Sequence, residues 1–251
     1  MKKRRPLRVF IPNTITLTNL AMGSLATMEA WNGRFALAAL YILISAVLDF
    51  FDGFAARMLK AYSDIGKQLD SLADLVSFGV APAAIAAGLL KSEGANGYYV
   101  YLIPLLLPVF SAIRLAKFNT ETSSDTHFSG MPVPADAAAF AALALIHDFP
   151  GFSMIDSVLL HPVFIISLII LNSWLMITPL PMFSFKLKSY RPTANRWRYL
   201  FAGIALLLII LLKGIGLFST FLLYVLASIG MNIRLRYGKG NGEKTSEEQL
   251  N

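Results

Sequence analysis

Residues 36–56 read ALAALYILISAVLDFFDGFAA and residues 69–90 read LDSLADLVSFGVAPAAIAAGLL. Each is long enough to cross a bilayer's hydrocarbon as a helix, which takes about 20 apolar residues. Their only charges lie at the ends that adjoin: Asp49 and Asp52 close the first run, and Asp70 and Asp74 open the second. A carboxylate at such a place is expensive and hence usually functional. At 3.6 residues per turn, Asp49, Asp52, Gly53 and Ala56 share one helical face, and Asp70 and Asp74 share another. The segment Arg57–Leu69 reverses the chain, so two antiparallel neighbours are predicted to aim both acidic pairs into one cleft at headgroup level.

Working outward, apolar runs near residues 15–32, 98–116, 134–148, 157–177, 197–213 and 217–233 bring the predicted spans to eight. The fifth is short and carries Asp136 and His147 near its ends. Hydrophobic residues make up 56% of the 251 and charged ones 15%, with a mean hydropathy of +0.60; this composition predicts an all-α integral membrane protein without a sizeable soluble domain. Of the 22 Lys and Arg residues, all but Arg34, Lys91 and Lys213 fall on one side of eight spans. The positive-inside rule then puts that side, with both termini and the aspartates, in the cytoplasm. The net charge of +7 is spread in short clusters between apolar runs, which suits loops facing anionic lipid and argues against a nucleic-acid partner. Met1–Arg8 imitates the start of a signal peptide but is followed by no convincing cleavage site, so it is expected to be retained. Gly238–Asn251, polar and without apolar period, is expected to be a disordered tail.

Four carboxylates converging without compensation repel one another, whereas hard divalent cations such as Mg²⁺ or Mn²⁺ prefer oxygen ligands. With no cysteine in the chain, a metal here must be held by oxygen or imidazole. Two such ions suit phosphoryl chemistry, because together they clamp the attacking and leaving oxygens. Gly53 and Ala56 leave room on the acidic face for a nucleotide to approach the backbone, and Arg57 can pair with a phosphate or an aspartate. The blander alternative makes Asp49 and Asp52 interfacial carboxylates paired with Arg57, and Asp70 the cap of the third helix.

The run Asp49-Phe-Phe-Asp52-Gly53-Phe-Ala-Ala56-Arg57, followed after eight residues by Gly66, after three by Asp70 and after three more by Asp74, matches a signature at all eight of its fixed positions. It resembles that of the CDP-alcohol phosphotransferase family, over roughly residues 9–180. The resemblance implies a six-helix membrane core with two additional C-terminal helices. It divides the chain into a basic segment 1–14, the membrane domain 15–180, a basic loop 181–196, the two extra spans 197–233 and a tail 234–251. It further implies Asp49, Asp52, Asp70 and Asp74 as ligands of a two-metal site, Asp74 also as general base, and Gly53, Ala56, Arg57 and Gly66 around the CDP moiety, with Asn13 and Thr16 as further CDP contacts. In the family's reaction an acceptor hydroxyl displaces CMP from a CDP-linked donor. A homodimer in a bacterial or archaeal cytoplasmic membrane is also what the resemblance implies.

The signature does not name the acceptor alcohol. Other segments resemble the phosphatidylserine synthase branch: Pro12-Asn13-Thr-Ile-Thr16-Leu-Thr-Asn19, Ser77-Phe-Gly-Val-Ala-Pro82, Arg114-Leu-Ala-Lys117-Phe-Asn119 and Gly130-Met-Pro-Val-Pro-Ala135. Lys117, Met131 and Asp136 depart from that branch's usual residues. The resemblance implies CDP-diacylglycerol and L-serine as substrates among membrane lipids, with Ser77, Arg114, Lys117 and Asn119 as candidates for binding serine or the lipid phosphate. Asn13 and Thr16 could instead cap the first helix, and the two cations could be ordinary positive-inside residues. Glycerol 3-phosphate as acceptor is the runner-up, and a cation or proton transporter the alternative of another class. Against the transporter, the carboxylates cluster at one edge and no interrupted helix pair stands out at mid-membrane. His127, His147 and His161 have no metal-binding spacing and read as structural. Asn172 reads as a helix–helix contact.

Overall fold

The computed structural model describes residues 9–120, 130–179 and 196–248, with side chains of the last helix from 200 to 230. The basic start Met1–Arg8, His127 and the basic loop 181–195 lie outside the described residues. Within them the chain is helical and contains no strand: α1 (Phe10–Trp31), α2 (Phe35–Met58), α3 (Asp64–Leu75), a π-helical turn (Val76–Val80), α4 (Ala81–Ser92), α5 (Tyr99–Leu102), α6 (Leu106–Thr120), α7 (Val133–Asp148), α8 (Ser153–Leu160), α9 (Pro162–Ile177) and α10 (Arg196–Glu248).

Among the described residues, four helical stretches are long and apolar enough to cross a membrane: Phe35–Met58, Asp64–Ser92, Tyr99–Thr120 and Leu200–Gly230. The pair α8 and α9, bent by 59° at His161, brings the number to five. The other expected spans fall short for separate reasons. Along α1, Asn13, Thr14, Thr16, Thr18 and Asn19 lower its apolarity, and α7 has only 16 residues. The stretch Leu200–Gly230 passes on its summed length alone, for within it the helix is interrupted at Lys213 (φ 48°, ψ −119°). A Cβ built on Gly216 would fall 1.9 Å from the carbonyl oxygen of Leu208. Eight residues of unbroken helix would hold the two about 12 Å apart, so the chain turns back on itself here. The second arm continues as helix through Glu248, where composition alone predicted a disordered tail; extending an existing helix adds a bond per residue without a new nucleus.

Small residues set the packing. The Ala-rich α4 and α7 form the centre, with Ala86, Leu89, Ala139, Phe140, Ala142 and Leu143 fully buried. Asp136 and Asn172 bond across the core, Nδ2 of Asn172 donating to Oδ1 of Asp136 at 2.8 Å, which places Asn172 between helices as expected. Asp148, ending α7, accepts from the Ala36 amide at 2.6 Å and so caps α2. At the crossing of α1 with the π-turn, a Cβ on Gly23 would lie 2.5 Å from the Ser77 Cα. Helices held by van der Waals fit in lipid have no slack at such a point. Gly23→Ala is therefore expected to cost about 1–3 kcal/mol, the usual range for overpacking, seen as a lower melting temperature of the detergent-purified protein; an unchanged value would mean that the crossing is looser than described.

Candidate active site

The turn between α2 and α3 is built by local rules. Helix α2 ends in a Schellman arrangement, with the Ala61 amide donating to Ala56 at 2.9 Å and the Lys60 amide to Arg57 at 3.3 Å. Lys60 takes the left-handed conformation (φ 49°), a place that favours glycine. Ser63 then caps α3, its Oγ accepting from the Gly66 amide at 3.0 Å. The third helix thus starts at Asp64, five residues before the hydropathy run. Its cap is Ser63, which removes the reading of Asp70 as the cap; Asp70 stands mid-helix, four residues from Asp74.

On α2, Asp52 is 4% exposed. Its Oδ2 lies 2.7 Å from the Thr16 hydroxyl, which is 3.1 Å from the Pro12 carbonyl. One hydroxyl hydrogen serves both, and the shorter bond to the carboxylate is the stronger. One carboxylate oxygen each from Asp49, Asp70 and Asp74 lie within 4.8 Å of one another. Asp74 Oδ1 is buried and finds no hydrogen-bond partner among the described residues. Arg114, on α6, is within electrostatic reach of Asp74. Three converging carboxylates, one of them with an oxygen that lacks a hydrogen-bond partner among the described residues, are a donor set of the kind that hard divalent ions take, and the residues fit such an ion.

The cluster opens on a cleft of about 1110 Å³, walled by Asn13, Thr16, Asp49, Asp52, Gly53, Ala56, Arg57, Gly66 and Asp70, with Lys60, Tyr62 and Lys67 at its rim. Among the described residues, a Cβ on Gly53 would meet nothing within 4 Å, so they leave this flank of α2 open. At Gly66 it would come within 3.0 Å of Asn13 Oδ1, so the glycine lets α1 approach α3 closely. The structure thus brings together at one cleft all the carboxylates but Asp74, which borders it from the interior, and every residue expected around the CDP moiety.

The four candidates for serine or lipid phosphate do not wall that cleft. Ser77 is fully buried and donates to the Asn19 carbonyl at 3.1 Å. Asn119 donates to Ser71 Oγ at 2.7 Å and accepts at its carbonyl from Lys67 Nζ at 2.7 Å, tying the end of α6 to α3. Lys117 is exposed and Arg114 half-buried. Sequence reasoning missed Lys60, Ser63 and Lys67 at the rim. A serine three residues before Gly66 and two lysines inside the acidic turn were the available signals. Asn19, which the sequence marks only as the end of the segment Pro12–Asn19, is wholly buried, and its side-chain amide has no partner among the described residues.

The family model for CDP-alcohol phosphatidyltransferase matches residues 9–163. A Bacillus subtilis protein named CDP-diacylglycerol–serine O-phosphatidyltransferase is 40% identical over 137 residues, 55% of this chain and 73% of the relative. A Helicobacter pylori protein of the same name is 38% identical over 146 residues, 57% of this chain and 60% of the relative. An archaetidylserine synthase of Methanothermobacter thermautotrophicus is 29% identical over 140 residues, 55% of this chain and 58% of that protein. Against the last two, the chain spans less than two thirds of the relative's length.

Proposed function

Because the chain belongs to the CDP-alcohol phosphatidyltransferase family, we propose that it transfers the phosphatidyl group of CDP-diacylglycerol to the hydroxyl of L-serine, giving phosphatidylserine and CMP. The observation that carries this reading is the convergence of Asp49, Asp70 and Asp74 beside a nucleotide-sized cleft. The names of the relatives favour serine as the acceptor.

In this reading Asn13, Thr16, Gly53, Ala56, Arg57 and Gly66 receive the CDP moiety, with the Arg57 guanidinium against its phosphates. Asp49, Asp52, Asp70 and Asp74 would hold two divalent ions, Mg²⁺ or Mn²⁺, which when bound neutralise the diphosphate and stabilise the departing CMP. Thr16 fixes the orientation of Asp52 through its hydroxyl. Asp74 takes the proton from the serine hydroxyl as its oxygen bonds to the β-phosphorus, and the bond from that phosphorus to the bridging oxygen breaks. A serine hydroxyl is a weak nucleophile at neutral pH, so a base within hydrogen-bond reach is needed. Of the four residues considered for serine or the lipid phosphate, Arg114, near Asp74, supplies the cation in this reading; Ser77, Lys117 and Asn119, which do not wall the cleft, are given no contact with the substrate.

The same reading makes α1 to α9 the six-span core and the two arms of α10 the addition; the family match, residues 9–163, ends as α9 begins. It puts the chain in a membrane with the cleft and both termini on the cytoplasmic side, as a homodimer. The test is CMP release from CDP-diacylglycerol by purified protein with single acceptors. Turnover with L-serine at least about tenfold above that with glycerol 3-phosphate is expected, since a polar site rejects an acceptor that leaves its groups unpaired; the reverse order would replace serine by glycerol phosphate.

A further inference from the structure

Resting on the reading of the donor as a lipid, we infer that the outer face of α2 is the track for the donor's acyl chains, entered at Phe50. Successive helical residues are about 100° apart, so Phe50 stands a quarter-turn from Asp49, on the border between the acidic face and the face turned away from the bundle. Phe50 both walls the cleft and is 62% exposed. Its ring stacks on that of Phe54 one turn on (centroids 6.4 Å apart, planes 10° apart) and meets Phe51 edge-on at 5.8 Å. From this aromatic group an exposed apolar stripe of Val47, Ile44 and Leu40 runs along the helix.

The occupant follows from continuity with the cleft. A lipid whose diphosphate lies over Asp49 has its glycerol at the cleft's edge, and its chains must leave into hydrocarbon from there. The border residue at that edge is Phe50. From Phe50 to Leu40 the helix rises about 15 Å, half of a hydrocarbon core about 30 Å thick. The stripe is therefore as long as one leaflet's chains. Bilayer chains are as apolar as the rings, so the track acts by fit, holding the donor's chains in line with the cleft, and not by removing them from water.

The experiment compares CDP-diacylglycerols bearing two oleoyl or two hexanoyl chains as donors for serine-dependent CMP release by the purified full chain. In the double variant Phe50→Ala with Phe54→Ala, the ratio of KM for the long-chain donor to KM for the short-chain donor is expected to rise about three- to tenfold, the scale of losing two aromatic packing contacts. Phe50→Leu with Phe54→Leu, which keeps apolar bulk, is expected to stay within about twofold of the parent ratio. An unchanged ratio in the alanine variant overturns the track while leaving the transferase reading intact. Loss of a dimer in light scattering, with both donors affected equally, gives this face to a second copy and likewise overturns it. If the parent protein releases no CMP from either donor, the transferase reading falls and the track with it.

Discussion

Replacing Asp74 by Asn is expected to lower serine-dependent CMP release by about 10³-fold, in the range found for loss of a general base, while the protein still folds. The carboxylate has two tasks in the proposed mechanism: taking the serine proton and completing the oxygen set with Asp49 and Asp70. Asn keeps the shape and one neutral oxygen but can do neither well. Folding should not suffer, because Asp74 is half-buried, its Oδ1 has no hydrogen-bond partner among the described residues, and it faces like charges. Removing one of several mutually repelling carboxylates relieves strain that only function explains. The check is the rate of CMP formation alongside melting temperature and elution volume. Full turnover in a well-folded Asn variant would remove Asp74 from its role as base.

Chelation should have an effect of the same order. Without divalent ions the cleft presents the carboxylates of Asp49, Asp52 and Asp70 to a donor that is itself dianionic at its diphosphate. Arg57 in the wall and Lys60 and Lys67 at the rim offer only partial compensation, since exposed charges are screened by water and salt. Treatment with excess EDTA is therefore expected to bring CMP release to background, and Mg²⁺ or Mn²⁺ added beyond the chelator to restore it. Serine-dependent turnover that persists after exhaustive chelation would contradict a metal-assisted route.

Much of the site was legible because it depends on spacing. Asp49 with Asp52, and Asp70 with Asp74, needed only helical periodicity and one reversal of the chain to converge, and Gly53, Ala56 and Gly66 stood at the positions where the cleft needs small side chains. What escaped depends on how helices rotate against each other. Asn19 offers its carbonyl to both Ser45, at 3.4 Å, and Ser77, at 3.1 Å, and that pairing exists only once α1 has settled between α2 and the π-turn. Ser77 accordingly faces the interior of the bundle and not the cleft. The early start of α3 escaped because its first two turns are amphipathic, and a search for apolar runs passes over them; the Ser63 cap marks them instead. The count of eight spans came from apolar runs taken singly. The fold divides that signal among a Thr-rich α1, a short buried α7, a bent α8–α9 pair and an α10 folded back at Lys213.

Everything proposed for the chemistry depends on carboxylates from two successive helices sharing ions. The most direct measurement is Mn²⁺ binding to the purified full chain by electron paramagnetic resonance, for the parent and for the double variant Asp49→Asn with Asp70→Asn. The expected result is bound Mn²⁺ in the parent and its loss in a variant that still elutes and melts like the parent. Equal binding by both, or none in a parent that goes on releasing CMP with serine, would contradict the shared site.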